Sequence, residues 1–171
     1  IGSVGATGMQ SSFFEDMVAE VLALTGEDSP VKVRRVLRNS CMLSSDVSAA
    51  YDPLYPEVFE KKNTAYFGRG LVLNKYTGSR GKNGTSDANA EYVAKVRNVF
   101  DNNHVAFQTA ELGKVDQGGG GTIAYVMANK AMSVIDSGVA VLSMHAPYEV
   151  TSKVDIYEAR RAYEAFLLEM K

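Results

Sequence analysis

The sequence predicts an α/β domain of three layers, in which helices cover both faces of a mixed, mostly parallel sheet. Two observations lead to this prediction. Short apolar runs of strand length alternate along the chain with amphipathic segments of helical period. Neither a linker nor an internal repeat divides the 171 residues, so we expect one domain. With 46% apolar residues, the chain has enough material for a core of that size.

The helices are predicted from apolar residues at helical spacing between residues that favour helix ends. A glycine-punctuated stretch, residues 1–10, precedes the first of them, and Gly26 ends it. The expected starts are Ser11 or Ser12 with Glu15 as a capping box, Ser29-Pro30, Ser86-Asp87, Thr122 for a helix reaching Lys130, and Thr151 or Ser152.

The strands are predicted from short runs of apolar and β-branched residues. They are Cys41–Val47, Leu71–Tyr76, His104–Thr109, Met132–Ile135 and Val139–Met144. Two segments between them are predicted to be loops. Tyr51–Tyr66 contains two prolines and has no clear period, and Thr77–Ser86 is rich in glycine, serine and lysine.

Charge and composition exclude several classes of protein. The 18 basic and 20 acidic residues give a net charge of −2, which argues against a sequence-independent nucleic-acid binder and against a basic membrane-surface helix. No apolar run approaches the roughly 18 residues that a membrane span needs. A single cysteine rules out a disulfide within the chain, and two histidines cannot supply a three-histidine metal site.

Two of the predicted strands end in residues that can bind a metal ion. Asp46 ends the run that begins at Cys41, and His145 ends the run that begins at Val139. Ligands of α/β proteins bind beyond the carboxyl ends of strands, so these two side chains can converge on one site. Carboxylate oxygen and imidazole nitrogen are both ligands of zinc. Either residue can instead have an ordinary role, Asp46 as a cap and His145 as a hydrogen-bonded surface residue.

The second candidate site is the run of four glycines at 118–121, which precedes the helix predicted from Thr122. Backbone N–H groups at such a position can bind an anion or a carbonyl oxygen, and a flexible turn is the alternative. The run lacks the Lys-Ser/Thr of a phosphate-binding loop. A basic loop with Lys75, Arg80 and Lys82 is either solvated surface or a contact for a substrate carboxylate.

Four motifs resemble, in order, those of the aspartyl aminopeptidase / vacuolar aminopeptidase I family. They are Ile1–Gly8, Ser44-Ser45-Asp46-Val47, Asp116–Ile123 and Ser143–Glu149. Together they run from the first residue almost to the final helix. The resemblance implies the zinc-peptidase (phosphorylase/hydrolase-like) fold, two zinc ions per complete active site with manganese or cobalt as substitutes, peptide substrates, a tetrahedral dodecamer of identical subunits and a cytoplasmic location.

The resemblance also implies roles for individual residues. Asp46 and His145 would each bind a different metal of the pair. Gly119, Gly120, Gly121 and Thr122 would line the substrate pocket. Glu149, which follows the histidine within its motif, would support that ligand rather than bind the metal itself. No nucleic acid and no membrane is expected as a partner.

The chain departs from the family in what precedes Ile1. The general-base glutamate, a neighbouring glutamate ligand, the first histidine ligand, the bridging aspartate and an inserted dimerisation domain are all expected there. We therefore expect residues 1–171 to be the C-terminal portion of the catalytic domain, with the upstream half absent, and to be inactive alone.

Two other functions remain open at this point. One is a phosphate- or nucleotide-binding module that uses Gly118–Gly121. The other is a non-catalytic structural subunit that keeps the peptidase fold. Within the peptidase hypothesis, the related tetrahedral glutamyl or glycyl aminopeptidases share a similar glycine motif.

Overall fold

The computed structural model describes residues 3–80, 83–114 and 116–170. Its helices are α1 (Phe13–Leu24), α2 (Pro30–Asn39), α3 (Ala90–Asn102), α4 (Ala124–Ala128) and α5 (Lys153–Glu169), with a 3₁₀ turn at Pro56–Val58. Its strands are β1 (Cys41–Ala49), β2 (Leu71–Asn74), β3 (Tyr76–Ser79), β4 (Asn83–Asp87), β5 (Phe107–Thr109), β6 (Ser133–Leu142) and β7 (Val150–Thr151). Ile1 and Gly2 of the first motif, and Lys82 of the basic loop, lie outside the described residues.

The main sheet is mixed and has the strand order β1-β6-β2-β5, with β7 added beside the end of β6. The pairs β1–β6 and β2–β5 are parallel, whereas β2–β6 and β6–β7 are antiparallel. The strands β3 and β4 form a separate antiparallel hairpin. The predicted α/β class with a mixed sheet is confirmed.

Helices cover both faces of this sheet because successive residues of β6 point in opposite directions. Val134 packs into an apolar cluster with Leu37 of α2 and Met127 of α4. Its neighbour Ile135 belongs to a second cluster, which contains Phe100 of α3 and Ala162 of α5. Three layers result, as expected from the sequence.

The largest difference from the predicted elements is in β6, which is one strand where two were expected. Asp136-Ser137-Gly138 interrupts the apolar run and lies between the predicted strands Met132–Ile135 and Val139–Met144. Instead Asp136 and Ser137 are buried, with 5% and 2% of their surface exposed, in the middle of the continuous strand. Neighbours on other elements surround them, and periodicity within the segment cannot reveal this.

The predicted loop Thr77–Ser86 is also wrong, because its two ends pair as the hairpin β3–β4. Several bounds shift as well. The strand expected over His104–Thr109 is confined to β5, the helix expected from Ser86-Asp87 begins at Ala90, and the helix expected over Thr122–Lys130 is the short α4. The two-residue β7 was not predicted.

The predicted helix ends are partly confirmed. Gly26 has a φ of +79° and follows the C-cap of α1, and Pro30 is the first residue of α2. Ser152 caps α5 by accepting a hydrogen bond from the Asp155 N–H. The capping box at Ser12 is wrong, since Ser12 has helical backbone angles and its hydroxyl bonds to Asp16 at 3.1 Å. In the described part of the chain, every helix is too short or too polar to span a membrane.

Candidate functional site

Asp46 lies on β1, three residues before the strand ends at Ala49. It pairs with Gly138 of β6, and only glycine fits there because a Cβ atom at position 138 would stand 2.1 Å from the Asp46 carbonyl oxygen. The carboxylate of Asp46 is exposed, on the sheet face that also bears Met42 and Ser44. The strand expected over Cys41–Val47 thus continues to Ala49, and Asp46 lies near its carboxyl end rather than at it.

His145 lies beyond the end of β6, in a turn closed by a 3.0 Å hydrogen bond from the Ala146 N–H to the Ser143 carbonyl. Ser143 and His145 both have positive φ, +59° and +68°. Such angles are uncommon for residues with a side chain and need support from their surroundings. Glu149 provides it, because its carboxylate accepts a 2.5 Å hydrogen bond from the His145 N–H. This contact holds the backbone of the turn, and the role of Glu149 in supporting a metal ligand stays a prediction.

Asp46 thus lies on β1, and His145 lies just beyond the neighbouring parallel strand β6. The two residues are at different positions along the strand direction. Gly138, the partner of Asp46, is followed by four more strand residues before β6 ends at Leu142. Four residues of a strand advance by about 13 Å. The turn that carries His145 comes after that. Pairing of β1 with β6 brings the two segments together, and their assignment as metal ligands stays a prediction.

The glycine run packs against the hairpin β3–β4. The Arg80 N–H donates to the Gly118 carbonyl at 2.9 Å. Gly119 has a φ of +89°, and a Cβ atom there would stand 2.5 Å from the Gly78 carbonyl oxygen. The backbones of hairpin and loop therefore touch, and a glycine is needed at position 119 for that approach.

A cavity of about 270 Å³ lies between the glycine loop and the hairpin. Its lining includes Gly118, Gly119, Thr77 and Glu111, but neither Asp46 nor His145. Burial raises the pKa of Glu111 above its usual value, and an Asn63 hydrogen bond opposes that shift. The glycine loop therefore borders a small pocket whose lining contains neither of the two predicted metal ligands.

The phosphate-binding alternative receives little support from this loop. The helix that follows is α4, which begins only at Ala124 and has five residues. Its first N–H is partly satisfied by the Thr122 hydroxyl, which accepts from Ala124 at 3.2 Å. Of the basic loop, Lys75 is paired with Asp87 on the exposed side of the hairpin. A helix this short has a weak dipole with which to attract an anion.

Asp136 is a residue of this region that the sequence analysis missed. It is the partner of Ser44 on β1, and its Oδ2 accepts a 2.7 Å hydrogen bond from the Thr77 hydroxyl. Burial raises its pKa, and the negative charge of Asp46 adds to the effect. The hydroxyls of Thr122, Thr77 and Ser44 act in the opposite direction. Its signal in the sequence was a carboxylate within an apolar run, which we interpreted as a break.

The residues present fit a zinc site in part. Asp46 and His145 are exposed and have the donor atoms that zinc accepts. Within the described residues, no hydrogen bond or ion pair engages either side chain. No group of three or more histidine, cysteine, aspartate or glutamate side chains in those residues is arranged to hold a metal ion. A complete site therefore needs ligands besides these two.

Comparison with known proteins places the chain in one family. Residues 1–167 match the family described as Aminopeptidase I zinc metalloprotease (M18). A probable M18 family aminopeptidase 1 of Clostridium acetobutylicum is 62% identical over 167 residues, which are 98% of this chain and 36% of that protein.

Solved structures agree with the match. The crystal structure of an M18-family aminopeptidase from Thermotoga maritima has a TM-score of 0.92 and 45% identity, over 98% of this chain and 37% of that one. A Saccharomyces cerevisiae structure described as the mApe1 dodecamer has a TM-score of 0.77 at 24% identity, over 99% and 36% of the two chains. The chain thus spans little more than a third of the proteins it matches, and it belongs to the M18 family of aminopeptidase I zinc metalloproteases.

Proposed function

We propose that this chain is the C-terminal portion of the catalytic domain of a zinc-dependent aminopeptidase, which removes N-terminal residues from peptides. The observation that carries the proposal is the family match over residues 1–167. The parallel pairing of β1 with β6 supports it, because that pairing sets the Asp46 and His145 segments on adjacent strands.

In this proposal Asp46 and His145 each hold a different metal ion of a pair. The exposed carboxylate of Asp46 and the exposed imidazole of His145 are free to do so. When bound, zinc lowers the pKa of a water molecule and polarises the scissile carbonyl, and manganese or cobalt would substitute. The general-base glutamate and the other ligands are expected from the segment before Ile1.

In this proposal, further residues of the chain bind the substrate or orient a metal ligand. Gly119, Gly120 and Gly121 offer backbone N–H and carbonyl groups with no side chain in the way of a peptide. Thr122 stands at the end of this run, where its hydroxyl accepts a 3.2 Å hydrogen bond from the Ala124 N–H. Glu149 holds the backbone of the turn that presents His145. Each of these contacts orients a ligand or a substrate backbone before reaction.

We further propose that the complete protein forms a tetrahedral dodecamer in the cytoplasm and acts on peptides, with neither nucleic acid nor membrane as partner. The dodecameric yeast relative supports the assembly.

The proposal is tested in the full-length protein by replacing the two histidines of this chain in turn. His145→Ala should abolish hydrolysis of an aminoacyl p-nitroanilide and lower the zinc content from two ions per subunit toward one, measured by plasma mass spectrometry. His104→Ala is the matched control. His104 lies exposed in the turn after α3, where its backbone N–H bonds to the Asp101 carbonyl. Its replacement should change neither the hydrolysis nor the zinc content. Unchanged hydrolysis by folded His145→Ala protein would refute the proposal.

A second experiment tests the expectation that residues 1–171 are inactive alone. The isolated chain should not hydrolyse the same substrate even with excess zinc, because two ligands cannot hold a metal pair. Zinc-dependent turnover by the purified chain would show that the expected upstream residues are dispensable.

A further inference from the structure

Asp136 is a buried carboxylate in the middle of the sheet for which the proposed function has no use. Its surface is 5% exposed, and it lies between Ser44 of β1 and Asn74 of β2 in the strand register. Carboxylates are seldom buried at such a position unless they are paired or bonded. Asp136 has no basic partner among the ion pairs of the described residues, so its hydrogen bonds must explain its presence.

Those hydrogen bonds join Asp136 to segments outside the main sheet. Oδ2 accepts from the hydroxyl of Thr77, which is 2% exposed and belongs to the hairpin β3–β4. The Thr122 hydroxyl, at the end of the glycine loop, also lies next to the carboxylate. Oδ1 is buried and has no hydrogen bond within the described residues.

The hairpin in turn carries the glycine loop. The Arg80 N–H bonds to the Gly118 carbonyl, and Gly119 packs directly on the Gly78 carbonyl. Further along the loop, Gly121 lies against Gly84. A Cβ atom added at Gly121 would stand 3.6 Å from the Gly84 carbonyl oxygen. Any shift of the hairpin relative to the sheet therefore shifts the loop as well.

Asp46 lies two residues beyond Ser44, the strand partner of Asp136, on the same sheet face. We propose that Asp136 is a positioning residue: its buried carboxylate ties the hairpin and the Thr122 end of the glycine loop to the central strand, at a set distance from Asp46. A substrate backbone lying on the loop would then meet the metal ligand in register. The substrate part of this inference rests on the proposed function, whereas the tether itself does not.

The test uses the full-length protein and four variants. Asp136→Ala removes the acceptor, Thr77→Val removes the donor, Asp136→Asn keeps one acceptor oxygen, and Ser137→Ala is the matched control. Ser137 is the next residue of β6, is as deeply buried, and points to the opposite sheet face, with an unpartnered hydroxyl. The measurements are kcat and KM for an aminoacyl p-nitroanilide, zinc content, and amide hydrogen exchange of residues 116–122.

We expect Asp136→Ala and Thr77→Val to raise KM about tenfold, the effect of losing one hydrogen bond to a charged group, and to change kcat less than threefold. Zinc content should stay at the wild-type value, and amides 116–122 should exchange faster. Asp136→Asn should remain within threefold of wild type in KM, and Ser137→Ala should match wild type in every measurement.

Three results would overturn the inference. They are an unchanged KM and exchange rate in Thr77→Val, a loss of zinc in Asp136→Asn, and equal falls of kcat and kcat/KM in all Asp136 variants. If Asp136→Ala fails to fold, the Asp136→Asn and Thr77→Val variants still test the inference. If the wild-type protein hydrolyses no aminoacyl substrate, the proposed function fails, and hydrogen exchange at 116–122 still tests the tether.

Discussion

The acidic residues on the two faces of the sheet differ in how completely they are bonded. Asp155 of α5 is fully buried, and its two carboxylate oxygens accept from the Gly68 and Gly70 N–H groups at 2.9 and 2.8 Å. Glu158 accepts from the Ala106 N–H at 2.8 Å and pairs with Arg161 at 3.0 Å. On this face, buried carboxylates clamp the loops around β2 and β5 to the last helix.

On the opposite face the acceptors are left incomplete. Asp136 has one oxygen without a hydrogen bond, and Asp46 is exposed with no hydrogen bond or ion pair among the described residues. A fully bonded carboxylate stabilises the native fold, because its removal leaves buried donors unpaired. A buried carboxylate oxygen without a donor, as in Asp136, costs stability. The exposed carboxylate of Asp46 is instead accessible to a ligand. The comparison therefore separates the clamping acids of α5 from Asp46, which we assign to the candidate site, and from Asp136, which we propose as a positioning residue.

The largest effect expected from this comparison is on activity, at Asp46. In the full-length protein Asp46→Asn should lower kcat/KM for an aminoacyl substrate at least 10³-fold, because the amide is a poor zinc ligand. The midpoint of urea unfolding of the metal-free protein should stay within experimental error. A variant with full activity would remove Asp46 from the site.

The opposite pattern, a loss of stability without a loss of activity, is expected at Asp155. Asp155→Ala leaves the Gly68 and Gly70 N–H groups unpaired and should lower the free energy of unfolding by about 3 kcal/mol. Activity per folded molecule should be unchanged. Asp155→Asn retains one acceptor and should show about half the loss in the same urea titration. An Asp155→Ala protein as stable as wild type would break the distinction between the two faces.

A smaller effect on activity is expected at Glu149. Glu149→Ala removes the acceptor for the His145 N–H, so the positive φ at His145 loses its support. Loss of such a supporting contact typically reduces metal affinity or activity by 10- to 100-fold. Glu149→Gln keeps an acceptor oxygen and should stay near wild type. Zinc titration of both variants measures the difference, and equal affinities would contradict the role of Glu149.

The smallest effect is expected at Glu111, on the cavity beside the glycine loop. Burial raises its folded-state pKa, so the ionised side chain costs stability above that pKa and the cost disappears below the unfolded-state pKa near 4.3. Glu111→Gln should therefore raise the melting temperature by about 1–2 °C at pH 7 and leave it unchanged at pH 4. Thermal unfolding at the two pH values measures this, and a rise at pH 4 alone would have the wrong sign.

Much of the fold follows from local signals. The apolar runs around Cys41 and Leu71 predicted strands, and Ser152 predicted the start of the last helix. The hairpin β3–β4 was missed because most of its residues are glycine, serine, threonine and asparagine, a composition typical of loops. It pairs nonetheless, since Thr77 is buried and bonded to Asp136 on another element. Local composition cannot indicate such a bond.

The candidate site divides in the same way. Asp46, His145 and the glycine run were predicted from strand ends, glycine content and motif order, and their roles in a site stay predictions. Asp136 was not found, because a lone aspartate before Ser-Gly usually marks a break in a strand. Its burial depends on Ser44 and Thr77, which lie far from it in the chain.

The sequence by itself determined the alternation of helices and strands, the ends at Gly26 and Pro30, and the order of the motifs. Each of these depends on residues within a few positions of one another. Only the tertiary structure decided the register that sets Gly138 beside Asp46 and Ser44 beside Asp136. Register depends on contacts between segments that are distant in the sequence. A shift of the register by one residue turns every side chain of the strand to the other sheet face. Those contacts also decide which carboxylates are fully bonded and which remain free for a ligand.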